Sequence, residues 1–155
     1  MSLMYSGTVS AATEGVILGI PSIAISLDSW TFDDFTYAGK IARQFAIKVL
    51  KSGLEKGIAL NINVPAVPED EVKGIMLTRQ GRSYYEETFV RRTDPRKRTY
   101  YWMDGFLVRK DKDHDVDDVA LKGNYVSVTP LHFNLTHNES LTNLASWKVF
   151  DNGSV

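Results

Sequence analysis

Cysteine is absent from all 155 residues. That excludes a disulfide scaffold, a Cys-ligated zinc or iron–sulfur site and a thiol nucleophile. Net charge is nearly absent too: 18 Lys+Arg against 19 Asp+Glu leaves -1, so no whole-chain field draws the protein to nucleic acid or an anionic membrane. No run approaches the eighteen or so apolar residues of a membrane span. Met1-Ser2-Leu3 has neither the basic region nor the apolar run of a signal peptide, and reads as an expression leader before a natural segment starting near Met4 or Tyr5. Asn134, Asn138 and Asn152 head Asn-x-Ser/Thr sequons, but nothing else looks secretory, and the near-neutral charge and lack of cysteine are consistent with a cytoplasmic protein. What is present is ordinary globular material, 43% hydrophobic and 24% charged in 17.4 kDa. A compact chain of this mass exposes roughly 7,900 Å², which leaves a core for one domain.

The hydrophobic pattern alternates between helix and strand. Val9, Ala12, Val16 and Ile17 predict a helix over about 7–18, capped by Ser6 or Thr8 and ended by Gly19 and Pro21. Ser22–Leu27 is a short apolar run bounded by turn residues, a buried strand. Phe35, Ala38, Ile41, Ala42, Phe45, Ala46, Val49 and Leu50 form one helical stripe, with Asp33 or Asp34 as its cap and Gly53 as its stop. Leu60, Ile62 and Val64 alternate with Asn61 and Asn63, a strand with one buried face. Residues 73–79 and 125–129 read as further strands, the latter ended by Pro130. Between them lies a segment dense in Arg and aromatics. Tyr100-Tyr101-Trp102 and Phe106-Leu107-Val108 around Asp104-Gly105 predict a projecting hairpin, and Asp94-Pro95 marks a turn. Leu141, Leu144 and Trp147 close the chain with one short amphipathic piece. Helices linked to strands by short connections define an α/β fold.

Several patterns bear on chemistry. Ser6-Gly7-Thr8 opens a helix, where unpaired amides and the positive dipole end can seat a phosphate; the plain alternative is a helix cap. Asp111, Asp113, Asp115, Asp117 and Asp118 resemble a calcium loop only in part. Val116 and Lys122 stand where that loop needs Gly and Glu, so a solvated loop, with Asp117 or Asp118 capping a short helix, is the reading. Arg91 to Trp102 combines basic and aromatic residues in the manner of single-strand binders, yet the acidic loop offsets its charge and argues against nucleic acid. An aromatic hairpin packed on a partner subunit fits better. His114, His132 and His137 lack zincin spacing.

Tyr5–Leu27, Leu60–Pro65, Thr78–Gly81, Arg92–Arg96, Tyr100–Trp102 and Gly123–Leu131 together resemble the SurE family of survival-protein 5'-nucleotidases, in the family's order. The resemblance implies a three-layer Rossmann-like α/β fold with a projecting β-hairpin used in oligomerisation, as homodimer or homotetramer. It implies hydrolysis of nucleoside monophosphates by a metal-dependent 5'-nucleotidase or acid phosphatase, with phosphate binding at Ser6, Gly7 and Thr8. The family's divalent metal, Mg or Mn, is held by two adjacent aspartates, a serine and an asparagine that would all lie upstream of Tyr5. Residues 4–155 therefore read as the C-terminal part of a single SurE-like domain. On that reading the chain holds no metal ligand or catalytic residue, binds no metal alone and is inactive alone. The alternative is a non-catalytic oligomerisation or binding module on the same fold.

Overall fold

The computed structural model describes residues 3–29, 31, 34–147 and 149. Asp33, Asn152, Met1-Ser2 and the last part of the 4–155 unit lie outside them. A 3₁₀ turn at Leu3–Tyr5 leads into α1 (Gly7–Ile17), β1 (Ser22–Leu27), α2 (Thr36–Ser52) and β2 (Ile58–Val64). A second 3₁₀ turn at Glu69–Glu71 precedes β3 (Gly74–Leu77). Then follow β4 (Tyr84–Thr93), β5 (Thr99–Val108), α3 (Asp117–Lys122), β6 (Tyr125–His132) and α4 (Asn138–Ala145).

Four strands form one sheet in the order β1-β2-β6-β3. β1 and β2 are parallel, in register from Ser22 opposite Ala59 to Leu27 opposite Val64. β6 is antiparallel to β2 and parallel to β3. Because strand side chains alternate, the sheet has two different faces. On one, Ile23, Ile25, Leu27, Leu60, Ile62, Val64, Val126 and Val128 pack beneath Ala38, Ile41 and Phe45 of α2. On the other, Ala24 and Ala59 receive Val9, Ala12 and Val16 of α1. Helix, sheet and helix give the three-layer α/β arrangement expected from the sequence.

Small residues set the distance of α1 from the sheet. A Cβ at Gly15 would run into Ser22 Oγ, so glycine there permits close approach of helix and strand. α2 begins where the Thr36 amide donates to Asp34 Oδ1 at 2.8 Å, and it stops at Gly53, whose φ of 70° is left-handed. Phe35 and Leu50, at the two ends of the apolar stripe, are exposed, so the part that packs is shorter than the stripe.

Two sequence expectations fail. The hairpin turn is not at Asp104-Gly105, which lies within β5; it is at 94–98. There the Asp94 carboxylate accepts from the amides of Arg96 (2.9 Å) and Arg98 (2.8 Å), and Lys97 adopts φ 66°. Gly105 serves a different need: a Cβ there would collide with the Glu86 carbonyl and the Tyr85 ring across the ribbon. Nor does Pro130 end its strand. Thr78 donates to the Val128 carbonyl, so by strand alternation the Pro130 nitrogen faces that same side, just beyond the end of β3. No ladder bond is lost there.

β4 and β5 form a separate ribbon with no third strand. Together with the unpaired edge of β1, it helps bring the exposed area to 11745 Å², far above the roughly 7,900 Å² of a compact chain of this mass.

The core under α2 is the stability centre. Replacing Ile62, fully buried in β2, by Ala should lower unfolding free energy by about 2–5 kcal/mol, read from urea denaturation. A loss under about 1 kcal/mol would contradict the packing.

Candidate functional site

Ser6 is the N-cap of α1: its Oγ accepts from the Val9 amide at 3.3 Å, and its carbonyl accepts from the Ser10 amide and hydroxyl, both at 2.9 Å. Gly7 and Thr8 are exposed. A Cβ at Gly7 would meet nothing within 4 Å, and no acidic side chain lies in the first turn. The amides of Gly7 and Thr8 find no acceptor among the described residues, as expected for a first helical turn. The Ser6 hydroxyl is thus engaged in the cap, while Gly7 and Thr8 present free donors at the positive end of the dipole. The same first turns border a cleft of about 280 Å³, lined in part by Val9, Ser10, Thr13, Leu131 and Phe133.

The α1 face of the sheet is more polar than the sequence indicates. Asn61, expected on the open side of a half-buried strand, is 2% exposed. Beside it, the Thr78 hydroxyl bonds Ser127 Oγ at 2.9 Å and Thr129 Oγ1 at 2.8 Å, all three residues buried. The alternation Leu60-Asn61-Ile62-Asn63-Val64 was legible, but not that both of its faces are covered. Asn rather than a charged residue at each polar position was the available signal.

The acidic stretch 111–118 is a clasp on the base of the β4–β5 ribbon. Arg79 reaches Asp113 at 2.6 Å and Asp115 at 3.0 Å. Arg82 donates through its side chain and its amide to Asp111, whose own side chain is 3% exposed. The Gly81 amide donates to Asp117 Oδ1 at 2.9 Å, and Asp118 Oδ2 accepts from Ser83 and pairs with Arg109. The N-cap of α3 is Val116, without a side-chain bond; Asp117 and Asp118 sit one and two steps inside and serve the clasp. Among the histidines, His137 caps α4 by accepting from the Ser140 amide at 3.2 Å. His114 and His132 are exposed.

Among the described residues, no group of three or more His, Asp or Glu stands close enough to hold a metal ion. The donors at Ser6–Thr8 are neutral. These residues by themselves do not fit a divalent cation. No helix among the described residues is long and apolar enough to cross a membrane.

The layers, the sheet order and the clasped ribbon define an α/β protein of the Rossmann-like kind with a two-stranded arm. The family model for survival protein SurE matches residues 1–87, more than half of the chain, and the chain belongs to the SurE family. The 5'-nucleotidase SurE of Symbiobacterium thermophilum is 46% identical over 147 residues, covering 95% of this chain and 57% of its own length. That of Syntrophobacter fumaroxidans is 42% identical over 149 residues, covering 96% and 60%. The crystal structure of the SurE protein from Aquifex aeolicus superposes with a TM-score of 0.78 at 38% identity, over 92% of this chain and 58% of that one. The chain spans about three fifths of the length of these relatives.

Two of the clasp carboxylates, Asp111 and Asp117, are shifted in opposite directions. Hydrogen bonds from Arg82 hold the Asp111 carboxyl below its ordinary value of 3.8, so its contribution to stability is present above that pH and is lost as pH falls through the folded value. Burial pushes Asp117 above 3.8, so its ionisation opposes folding at neutral pH. Both hydrogen bonds to Asp117 end on Oδ1, which Asn retains. Asp117→Asn should therefore melt above the parent at pH 7 and level with it in acid. Asp111→Asn should melt below it at pH 7, the gap closing on acidification. Thermal melts across pH 3–7 check both.

Proposed function

We propose that this chain forms the phosphate-seating and oligomerising part of a metal-dependent 5'-nucleotidase, which hydrolyses a nucleoside monophosphate to nucleoside and phosphate. The observation that carries the reading is the open first turn of α1, with free Gly7 and Thr8 amides, in a chain of the SurE family whose relatives bear the name 5'-nucleotidase SurE. Ser6, Gly7 and Thr8 bind the phosphoryl oxygens through two amides and the Thr8 hydroxyl, and Ser6 keeps the turn shaped. A phosphate suits this donor set because free backbone amides at the positive end of the helix dipole favour an anion. The divalent ion, Mg or Mn, belongs to the same proposal; it would polarise the phosphate and supply the nucleophile, with ligands other than the residues described above. A cytoplasmic setting and the reading of 4–155 as the C-terminal part of one domain also belong to it.

The β4–β5 arm favours a further element, assembly as a homodimer or homotetramer. Tyr85, Phe89, Tyr101 and Met103 lie on one face of the ribbon, and Tyr84, Phe106, Trp102 and Tyr100 on the other, all of them exposed. Both faces therefore await a partner surface. Taken without the phosphate seat, the same arm supports the second reading, a non-catalytic oligomerisation or binding module.

Phosphate release from AMP, measured with and without Mg or Mn, separates the two readings. A version extended to the length of the relatives should release phosphate and lose that activity on chelation, whereas residues 1–155 alone should bind nucleotide without turnover. Thr8→Val in the extended version should lower kcat/KM by about tenfold or more, as for loss of one transition-state donor. Activity of residues 1–155 that survives metal removal would overturn the account.

A further inference from the structure

We infer that the cleft between the first turns of α1 and the strip 131–135 holds the base of the nucleotide, with Phe133 as its stacking face and Gln80 bonding its edge. This rests on the reading of Ser6–Thr8 as the phosphate seat and extends it to the other end of the substrate.

The helix places the cleft beside the seat. Ser10 stands one turn beyond the cap residue Ser6, and Thr13 and Glu14 stand one turn beyond Ser10, so the four share one stripe of the helix surface. Ser10, Thr13 and Glu14 line the cleft from this side. Leu131 near the end of β6, Phe133 just past it and Gln80, three residues past the end of β3, supply other parts of its lining. The cleft therefore runs from the helix start along α1. From Thr8 to Thr13 is about 7.5 Å at 1.5 Å per helical residue, a reach that the sugar between a phosphate and its base covers.

Size and lining select the part of the nucleotide that enters. A volume of about 280 Å³ falls just short of the roughly 300 Å³ at which pockets begin to enclose a whole drug-sized ligand, so the cleft suits one portion of the substrate. Met4, Val9, Leu131 and Phe133 give it an apolar lining. The Phe133 ring is backed on one edge and open elsewhere: a Cβ at Gly57 would lie 3.8 Å from its Cε1, and the residue is 47% exposed. A ring presented in this way stacks a flat heterocycle. The side chains of Gln80 and Thr13 have no hydrogen-bond partner among the described residues. The Gln80 amide both donates and accepts, which matches the ring nitrogens and exocyclic groups along a base edge. The described lining holds no Lys or Arg, and it does hold Glu14. A phosphate is disfavoured inside by that charge and stays at the amides of Gly7 and Thr8, which sets the direction in which the nucleotide lies.

Titration calorimetry on the full chain tests this with AMP, ribose 5-phosphate, which lacks the base, and inorganic phosphate as probes. The parent should bind AMP about tenfold more tightly than ribose 5-phosphate, the size expected for one stacked base. Phe133→Ala should weaken AMP by about five- to twentyfold and leave the other two probes unchanged. Gln80→Ala, at an exposed position, should weaken AMP by about three- to tenfold, as for one lost hydrogen bond. It guards against misfolding of the first variant, which a thermal melt monitors. Unchanged AMP affinity in both folded variants overturns the inference, and a changed sedimentation rate in that case would make the face a contact between copies of the chain. An equal loss for all three probes also overturns it, since the effect would then lie at the seat. If the parent binds ribose 5-phosphate as tightly as AMP, the base cleft fails while the phosphate seat stands. If it binds none of the three, the seat itself fails and the cleft falls with it.

Discussion

β2 is the strand on which the molecule is organised. It lies between β1 and β6, and its two faces answer to different helices: Leu60, Ile62 and Val64 meet α2, while Ala59, Asn61 and Asn63 look toward α1. Strand alternation has a period of two, so a one-residue slip would place two asparagines in the apolar core and three branched aliphatics on the α1 face. The difference between the faces therefore locks the register of β2 against both neighbours. That register in turn aligns β1 in parallel and β6 antiparallel, and the short link from α1 to β1 sets where the helix begins. The geometry of the open helix start is a consequence of the side-chain contrast along one strand.

The arm follows another logic. A two-stranded ribbon on its own is marginal in water, and this one has no sheet behind it. Its order near the body comes from the clasp, in which the aspartates of 111–118 engage Arg79, Arg82, Ser83 and Arg109 and the amide of Gly81. Near the tip it comes from Asp94 closing the turn, and along one face from Arg92 lying over the Trp102 ring at 5.3 Å. The acidic stretch that fails as a calcium loop thus directs the arm: Asp111, Asp113, Asp115 and Asp118 pair with Arg82, Arg79 and Arg109.

Much of the fold was legible because its signals are periodic. The α2 stripe, the β1 run and the alternation of β2 each report burial directly. What escaped were places where one residue type serves two purposes. Asp-Gly is a strong turn pair, yet at 104–105 the glycine answers a steric collision across the ribbon, and the hairpin turns instead at the Asp94-Pro95 signal, where the aspartate carboxylate reaches two downstream amides. Proline ends most strands, but at 130 it lies where a neighbouring strand has already stopped. Ser6, Gly7 and Thr8 were singled out from local chemistry and family likeness together, and the helix start and Ser6 cap expected there are present. Asn61 and Asn63 were seen and assigned to an open face, because pattern alone shows which side of a strand is polar and not whether a helix covers it.

Pro130 also has a bearing on how the sheet ends. β6 outruns β3, so its last residues offer a bare margin on that side. A foreign strand seeking to dock there would need a donor at position 130, and the pyrrolidine ring withholds it. The margin is thereby closed to strand addition without a covering element, while the outer margin of β1, whose Ser22–Leu27 run holds no proline, keeps its full set of backbone donors. The overhanging end of β6 is thus guarded against growth, while the outer margin of β1 is receptive.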